Sequence, residues 1–330
     1  MSDLPLTLSM CIYDRTRPLL DGRIRPQGID LKVITPSIEE CIIGMLRHQQ
    51  WDVAEMSLSA GLIALERGRP AFTMLPIFPS RCFRHSAVFV NASSGIDQPS
   101  DLEGKRVAVP AYARLAAAVW VRGVLEDDWG VSPSDVTWVV PEPLPVGSAD
   151  NIPVHLPLDV KVEEVTPEPW IDHRLAEGEV DALVTARLPR AFVARDPRVR
   201  RLFADHRRIE ADYFKRTGIF PPMHALVVRR ELYESEPWIG PSLFDAFVSA
   251  KQQGLADAYE IDVSRYSLGW WVSYLEEERA LLGEDPWTYG VVPNRHTIET
   301  FARYCHRQGL LERPLSIEET FPSNLLETSG

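Results

Sequence analysis

Cysteine is scarce in this chain: four in 330 residues, at Cys11, Cys41, Cys82 and Cys305, with no CxxC spacing. Such usage argues against a disulfide scaffold or a zinc ribbon, and reduced, buried thiols are expected. Positive charge is also in deficit. Lysine and arginine number 35 against 47 acidic residues, a formal net charge of −12, which argues against nucleic-acid and anionic-membrane partners, since these select for a basic face. No run of about 18 apolar residues occurs to span a bilayer. The opening Met1-Ser2-Asp3-Leu4-Pro5-Leu6 has neither the basic nor the apolar region of a secretory signal, and a cytoplasmic location is expected.

Cofactor motifs are missing as well. There is no GxGxxG, no P-loop and no GxSxG, so nucleotide cofactors and serine-hydrolase chemistry lose their usual support. The eight histidines (48, 85, 155, 173, 206, 224, 296, 306) show no HxH or HExxH spacing. Chemistry without cofactor or metal is therefore expected, with a metal held by His85, His224 and Glu55 left open.

What is present is an α/β pattern longer than one ordinary core, which predicts two lobes. Strands are read at 6–10, 31–34, 53–57 and 72–78, with helices at 37–49 and 60–66 between them. Ser37 with Glu40 forms a capping-box pattern at the first of these helices. A strand at 86–91 leads out of the first lobe, and a second α/β lobe follows with strands at 106–110, 136–140, 160–165 and 180–185. Seven prolines (141, 143, 145, 153, 157, 167, 169) exclude a long helix between its halves. The strand at 224–229 returns to the first lobe, and helices at 238–258, 267–282 and 295–308 close it. The expected division is 1–90 with 225–330 as one lobe and 91–224 as the other.

Two arginine-rich strings, Asp14-Arg15-Thr16-Arg17 and Ser80-Arg81-Cys82-Phe83-Arg84-His85, follow strand-like runs. Ligands of open α/β folds bind outside the carboxyl ends of strands, and Arg offers a planar fork that matches a carboxylate. Arg15, Arg17, Arg81 and Arg84 are therefore expected to gather around an aromatic or aliphatic carboxylate. The first string can equally begin a helix, with Thr16 as cap and Pro18 in the first turn. Arg187 adds a cationic point after the strand at 180–185. Glu55 is expected at a strand end, paired with Arg81 or Arg84 or acting in catalysis, and Ser57 and Ser59 either meet a substrate oxygen or cap the next helix. His85 and His224 are candidate proton carriers. Trp270, Trp271 and Trp287 can be core or the interface of a homo-oligomer.

Four strings taken together, Tyr13-Asp14-Arg15-Thr16-Arg17-Pro18-Leu19, Glu55-Met56-Ser57-Leu58-Ser59, Phe78-Pro79-Ser80-Arg81-Cys82-Phe83-Arg84-His85 and Thr217-Gly218-Ile219-Phe220-Pro221-Pro222-Met223-His224, resemble the 4,5-dihydroxyphthalate decarboxylase family. Trp120-Val121-Arg122-Gly123, Tyr289-Gly290 and Asn294-Arg295-His296 add to the likeness, which runs from about Leu6 to Leu326. The resemblance implies a type II periplasmic-binding-protein-like fold, two lobes on a hinge with the ligand clamped between them. It also implies a cofactor-independent enzyme that decarboxylates a hydroxylated aromatic acid, with a non-catalytic carboxylate-binding protein as the alternative. On that reading His85 or His224 donates the proton, Glu55 holds or deprotonates a ring hydroxyl, and Tyr112 and Phe83 flank the ring. The chain departs from the family pattern at Ala111-Tyr112-Ala113, where glutamate-tyrosine-glutamine is expected, and at Arg187-Leu188-Pro189-Arg190.

Overall fold

The computed structural model describes residues 3–68, 71–141, 156–260, 262 and 266–330. Its first four strands, β1 (Leu4–Ser9), β2 (Ile29–Ile34), β3 (Val53–Ser57) and β4 (Phe72–Arg81), belong to one sheet. The chain then builds a second sheet from β5 (Val88–Asn91), β6 (Arg106–Ala108), β7 (Thr137–Pro141), β8 (Lys161–Val165), β9 (Ala182–Val184) and β10 (Val199–Arg201). Finally β11 (Pro222–Arg229) returns and inserts between β3 and β4, giving the order β2-β1-β3-β11-β4. The second sheet runs β10-β5-β9-β6-β7-β8.

β1 pairs in parallel with β2 and β3, whereas β11 is antiparallel to both of its neighbours. All five residues of β3 are buried. A strand covered on both faces reads as a continuous run rather than an alternation, and here that run carries Glu55 into the interior. The capping box forms as expected: Ser37 Oγ accepts from the Glu40 amide at 3.3 Å, while Glu40 Oε2 accepts from the Ser37 amide at 2.8 Å. It starts the helix Ile38–His48 beside the crevice.

The helix Ala116–Trp129 of the second lobe packs on the C-terminal helix Arg295–Arg307, with the Trp120 and Phe301 rings 5.0 Å apart. Trp120 Nε1 donates to the Pro222 carbonyl at 2.9 Å. A side chain at Gly123 would meet the Tyr304 ring at about 2.2 Å, so only glycine permits this approach. Arg122 is buried and donates to Gln308 Oε1 and to the Tyr112 carbonyl, each at 2.7 Å.

Three features differ from the sequence reading. The chain changes sheet between Arg81 and Val88 and again between Arg201 and Pro222, so the expected boundaries at 90 and 225 cut through β5 and β11. β4 extends to Arg81, which places that arginine inside a strand instead of on a loop. The strand β10 and the helix His206–Thr217 were not anticipated, because Val-Arg-Arg has no apolar alternation and the helix buries only Glu210 and Tyr213. Pro143, Pro145 and Pro153 lie outside the described residues. No helix among the described residues is long and apolar enough to cross a membrane.

Candidate active site

The β3–β11 register puts His224 directly opposite Ser57, and Leu226 opposite Glu55. Residues two apart on a strand share a face, so His224 lies diagonally across from Glu55. The result is a contact of 2.6 Å between His224 Nδ1 and Glu55 Oε1. Tyr13, just beyond the carboxyl end of β1, donates its hydroxyl to the same oxygen at 2.5 Å, and the Cys11 amide donates to Oε2 at 2.9 Å. Burial alone would raise the Glu55 carboxyl. The charge of His224 and the three hydrogen bonds outweigh it, and the group is held below the usual carboxylate range.

Glu55 is fully inaccessible, whereas the His224 side chain keeps 20% of its surface exposed. With Nδ1 committed to the carboxylate, Nε2 is the nitrogen left to meet a substrate. This is the arrangement in which a carboxylate fixes an imidazole's tautomer and compensates its charge. Burial and the Glu55 charge raise the Tyr13 hydroxyl, which keeps it a protonated donor. The expected pairing of Glu55 with Arg81 or Arg84 is corrected: its partners are His224, Tyr13 and a backbone amide.

Of the four arginines, Arg15 and Arg81 lie near enough for the Arg15 charge to act on Arg81, and both are bonded to protein groups. Arg15 is buried; its Nε donates to the Pro79 carbonyl at 3.0 Å, and its guanidinium lies 3.6 Å from the Trp287 ring centroid. Arg81 is buried too, donating to the carbonyls of Phe220 at 2.8 Å and Thr288 at 2.6 Å, and burial pushes it down to about 10. Arg81 also donates to Asn294 Oδ1, and Arg15 Nη1 to Asp14 Oδ1 at 3.1 Å, so both guanidinium groups tie neighbouring segments to β4. Arg84 Nε points to Met223 Sδ at 3.2 Å. Arg17 is exposed in the first turn of the helix Arg17–Leu20, which Thr16 precedes without a side-chain cap.

His85 lies apart from the Glu55 cluster. Its ring packs edge-on against Trp129, Phe203 and Tyr213, at 5.9, 5.6 and 5.2 Å. Neither ring nitrogen has a hydrogen-bond partner among the described residues, Nδ1 stands 4.0 Å from Glu210 Oε1, and the adjoining free volume is about 10 Å³, the size of one water. Burial, then the charge of Arg216, pushes His85 down from 6.5 to about 4. A folded-state value below the unfolded one means that the unfolded chain binds more protons between those limits. Stability therefore falls as pH drops from 6.5 toward 4, by up to about 3 kcal/mol from this group. His85→Phe is expected to flatten that dependence in thermal unfolding and to leave kcat within about threefold; a hundredfold loss of kcat would restore His85 to the chemistry.

The remaining residues divide between core and crevice. Phe83 packs on Phe220 at 4.9 Å. Tyr112 is buried between Arg122, 3.9 Å from its centroid, and Trp138. Ser57 Oγ donates to the Arg114 carbonyl at 2.7 Å, joining the carboxyl end of β3 to the loop after β6, and buried Ser59 lies 3.2 Å from it. Ser57 gives the next helix no side-chain cap bond. Exposed Arg187 reaches across to form an ion pair with Glu39. Trp270 is exposed, whereas Trp287 covers Arg15. Sequence reasoning left Tyr13 and Arg114 without roles, although each stands just past a strand end. No group of three or more His, Cys, Asp or Glu residues is arranged to hold a metal among the described residues.

Residues 25–147 match the family model described as NMT1/THI5 like. Two solved structures show the fold. One is the periplasmic sulfonate-binding protein SsuA from Methylobacillus flagellatus KT, with TM-score 0.55 and 13% identity, covering 98% of this chain and 93% of that one. The other is the alkanesulfonate-binding protein SsuA from Xanthomonas axonopodis pv. citri, with TM-score 0.52 and 13% identity, covering 97% and 99%. The chain thus has the two-lobed periplasmic-binding-protein-like architecture. A 4,5-dihydroxyphthalate decarboxylase from Pseudomonas putida is 36% identical over 215 residues, 65% of this chain and 83% of the relative. Another, from Comamonas testosteroni, is 36% identical over 328 residues and covers 99% of both chains. With likeness of that extent, the chain belongs to the 4,5-dihydroxyphthalate decarboxylase family.

Proposed function

We propose that the protein is a carboxy-lyase that removes one carboxylate, without oxidation, from a hydroxylated aromatic dicarboxylic acid such as 4,5-dihydroxyphthalate. The observation that carries this reading is the His224 Nδ1–Glu55 Oε1 contact of 2.6 Å, at the strand ends of a chain 36% identical over nearly its whole length to a decarboxylase of that name.

In 4,5-dihydroxyphthalate each hydroxyl is para to one carboxylate. Once such a hydroxyl has lost its proton to solvent, the phenolate pushes electron density into the ring, and the ipso carbon accepts a proton. His224 Nε2 supplies it. The dienone that forms breaks its ring–carboxylate bond, releases carbon dioxide and regains aromaticity. The phenolate that this cleavage regenerates and His224 each recover a proton from solvent, so that, against the one proton first lost by the hydroxyl, the net reaction consumes one proton and forms 3,4-dihydroxybenzoate. Glu55 acts through His224, holding the imidazole in one tautomer and stabilising it as the imidazolium; it is a positioning residue. Closure of the lobes excludes water and strengthens these interactions.

The purified protein, incubated with a panel of hydroxyphthalates and hydroxybenzoates, is expected to release carbon dioxide from those that carry a hydroxyl para to a carboxylate. Tight binding with every ligand recovered unchanged would instead make it a solute-binding protein.

A further inference from the structure

The string Tyr13-Asp14-Arg15-Thr16 stands just beyond the carboxyl end of β1, and its members are arranged around one side chain, that of Tyr13. Thr16 donates twice to the Tyr13 carbonyl, from its amide at 3.2 Å and from Oγ1 at 3.3 Å. The Arg15 guanidinium lies 4.4 Å from the Tyr13 ring centroid and 3.6 Å from that of Trp287, so it touches both rings. Planar, charged and weakly hydrated, a guanidinium packs well against aromatic faces. Asp14 holds it there, accepting from the Arg15 amide at 2.8 Å and from Nη1 at 3.1 Å.

The backbone beneath is fixed as well. The helix Ile239–Ala258 passes so close that a side chain at Gly254 would meet the Arg15 Cα at 2.7 Å and the Asp14 carbonyl oxygen at 2.9 Å, and only glycine permits this approach. With Nε on the Pro79 carbonyl at 3.0 Å, Arg15 is bonded on several sides and buried. Such a side chain is a brace for the ring beside it.

That ring carries its hydroxyl to Glu55. Oε1 meets both the Tyr13 hydroxyl at 2.5 Å and His224 Nδ1 at 2.6 Å, while Oε2 accepts from the Cys11 amide at 2.9 Å. Glu55 is inaccessible, so a hydroxyl committed to it acts behind the imidazole and not on the substrate. Held from three directions, the carboxylate cannot turn away from His224. We infer that Tyr13 is a positioning residue of the reaction, acting on His224 through Glu55, and that Arg15 and Trp287 are the brace that aims it; the inference rests on the decarboxylase reading. The first arginine string thereby has a mechanical task in place of the anion grip expected from its composition.

Steady-state release of carbon dioxide from 4,5-dihydroxyphthalate, measured in two backgrounds, tests this assignment. Tyr13→Phe keeps the ring against Arg15 and removes only the hydroxyl; in the otherwise wild-type protein it lowers kcat by about 10- to 100-fold, with KM within about threefold. Added to Glu55→Gln, the same change costs less than about threefold, because the carboxylate through which it acts is already gone. Arg15→Met, which keeps the length of the side chain without its planar charge, lowers kcat by about 3- to 10-fold alone and by less than about twofold once Tyr13→Phe is present. Trp287→Leu gives the same pattern and carries that half of the test if Arg15→Met does not fold. Undiminished kcat in Tyr13→Phe, an equal loss in both backgrounds, or a loss that falls on KM overturns the assignment of Tyr13; an Arg15 or Trp287 effect that persists in full on Tyr13→Phe overturns the brace. Failure of the underlying reading looks different: wild-type protein would then release no carbon dioxide from any hydroxyphthalate, and the assignment of Tyr13 would fall with it.

Discussion

His224→Asn lowers kcat for carbon dioxide release from 4,5-dihydroxyphthalate by about 10³-fold, within the range for loss of a positioned acid, while KM stays within about threefold. Asparagine keeps a donor near Glu55 and a similar place in the strand, so the carboxylate is not left without a partner. What it cannot do is carry a proton to the ring. The small KM change follows because the imidazole acts on an atom that becomes basic only in the transition state. Steady-state kinetics decide the matter; a variant that turns over within about tenfold of wild type removes His224 from the acid's role.

Glu55→Gln is expected to cost about 10²- to 10³-fold in kcat, in line with other losses of a group that orients a catalytic histidine. Three donors converge on this carboxylate, from Cys11, Tyr13 and His224, at 2.9, 2.5 and 2.6 Å. A glutamine presents one acceptor oxygen and an NH₂ group that opposes one of those donors, so the imidazole loses both its counter-charge and its fixed orientation. The split between kcat and KM separates this role from a merely structural one: the loss falls on kcat, KM stays within about threefold, and Glu55→Asp, which keeps the charge, recovers part of the rate. Equal losses in both variants, together with a lowered melting temperature, would mean that Glu55 only supports the fold.

The Glu55 and His224 strings were legible because each stands at the edge of an apolar strand, and a chemically versatile residue there is conspicuous. Their direct contact was not. It depends on β11 entering antiparallel between β3 and β4, and local periodicity does not specify which strand a returning segment joins. The arginines misled for a related reason. Pro79-Ser80 reads as a turn, yet β4 runs through it to Arg81 with irregular pairing to β11. Arg15 owes its burial partly to Trp287, far away in the sequence. His85 next to arginines suggested chemistry, but its surroundings come from Trp129, Phe203 and Tyr213, three aromatics that only the tertiary fold assembles.

The central claim is that this site protonates an aromatic ring carbon and expels the carboxylate it bears. Turnover of 4,5-dihydroxyphthalate in D₂O, followed by proton NMR of the product, tests it most directly. The account predicts one carbon dioxide per product molecule and 3,4-dihydroxybenzoate with a single deuterium at carbon 6, the position para to its 3-hydroxyl. Substrate recovered intact, or product with no deuterium at that carbon, would contradict it.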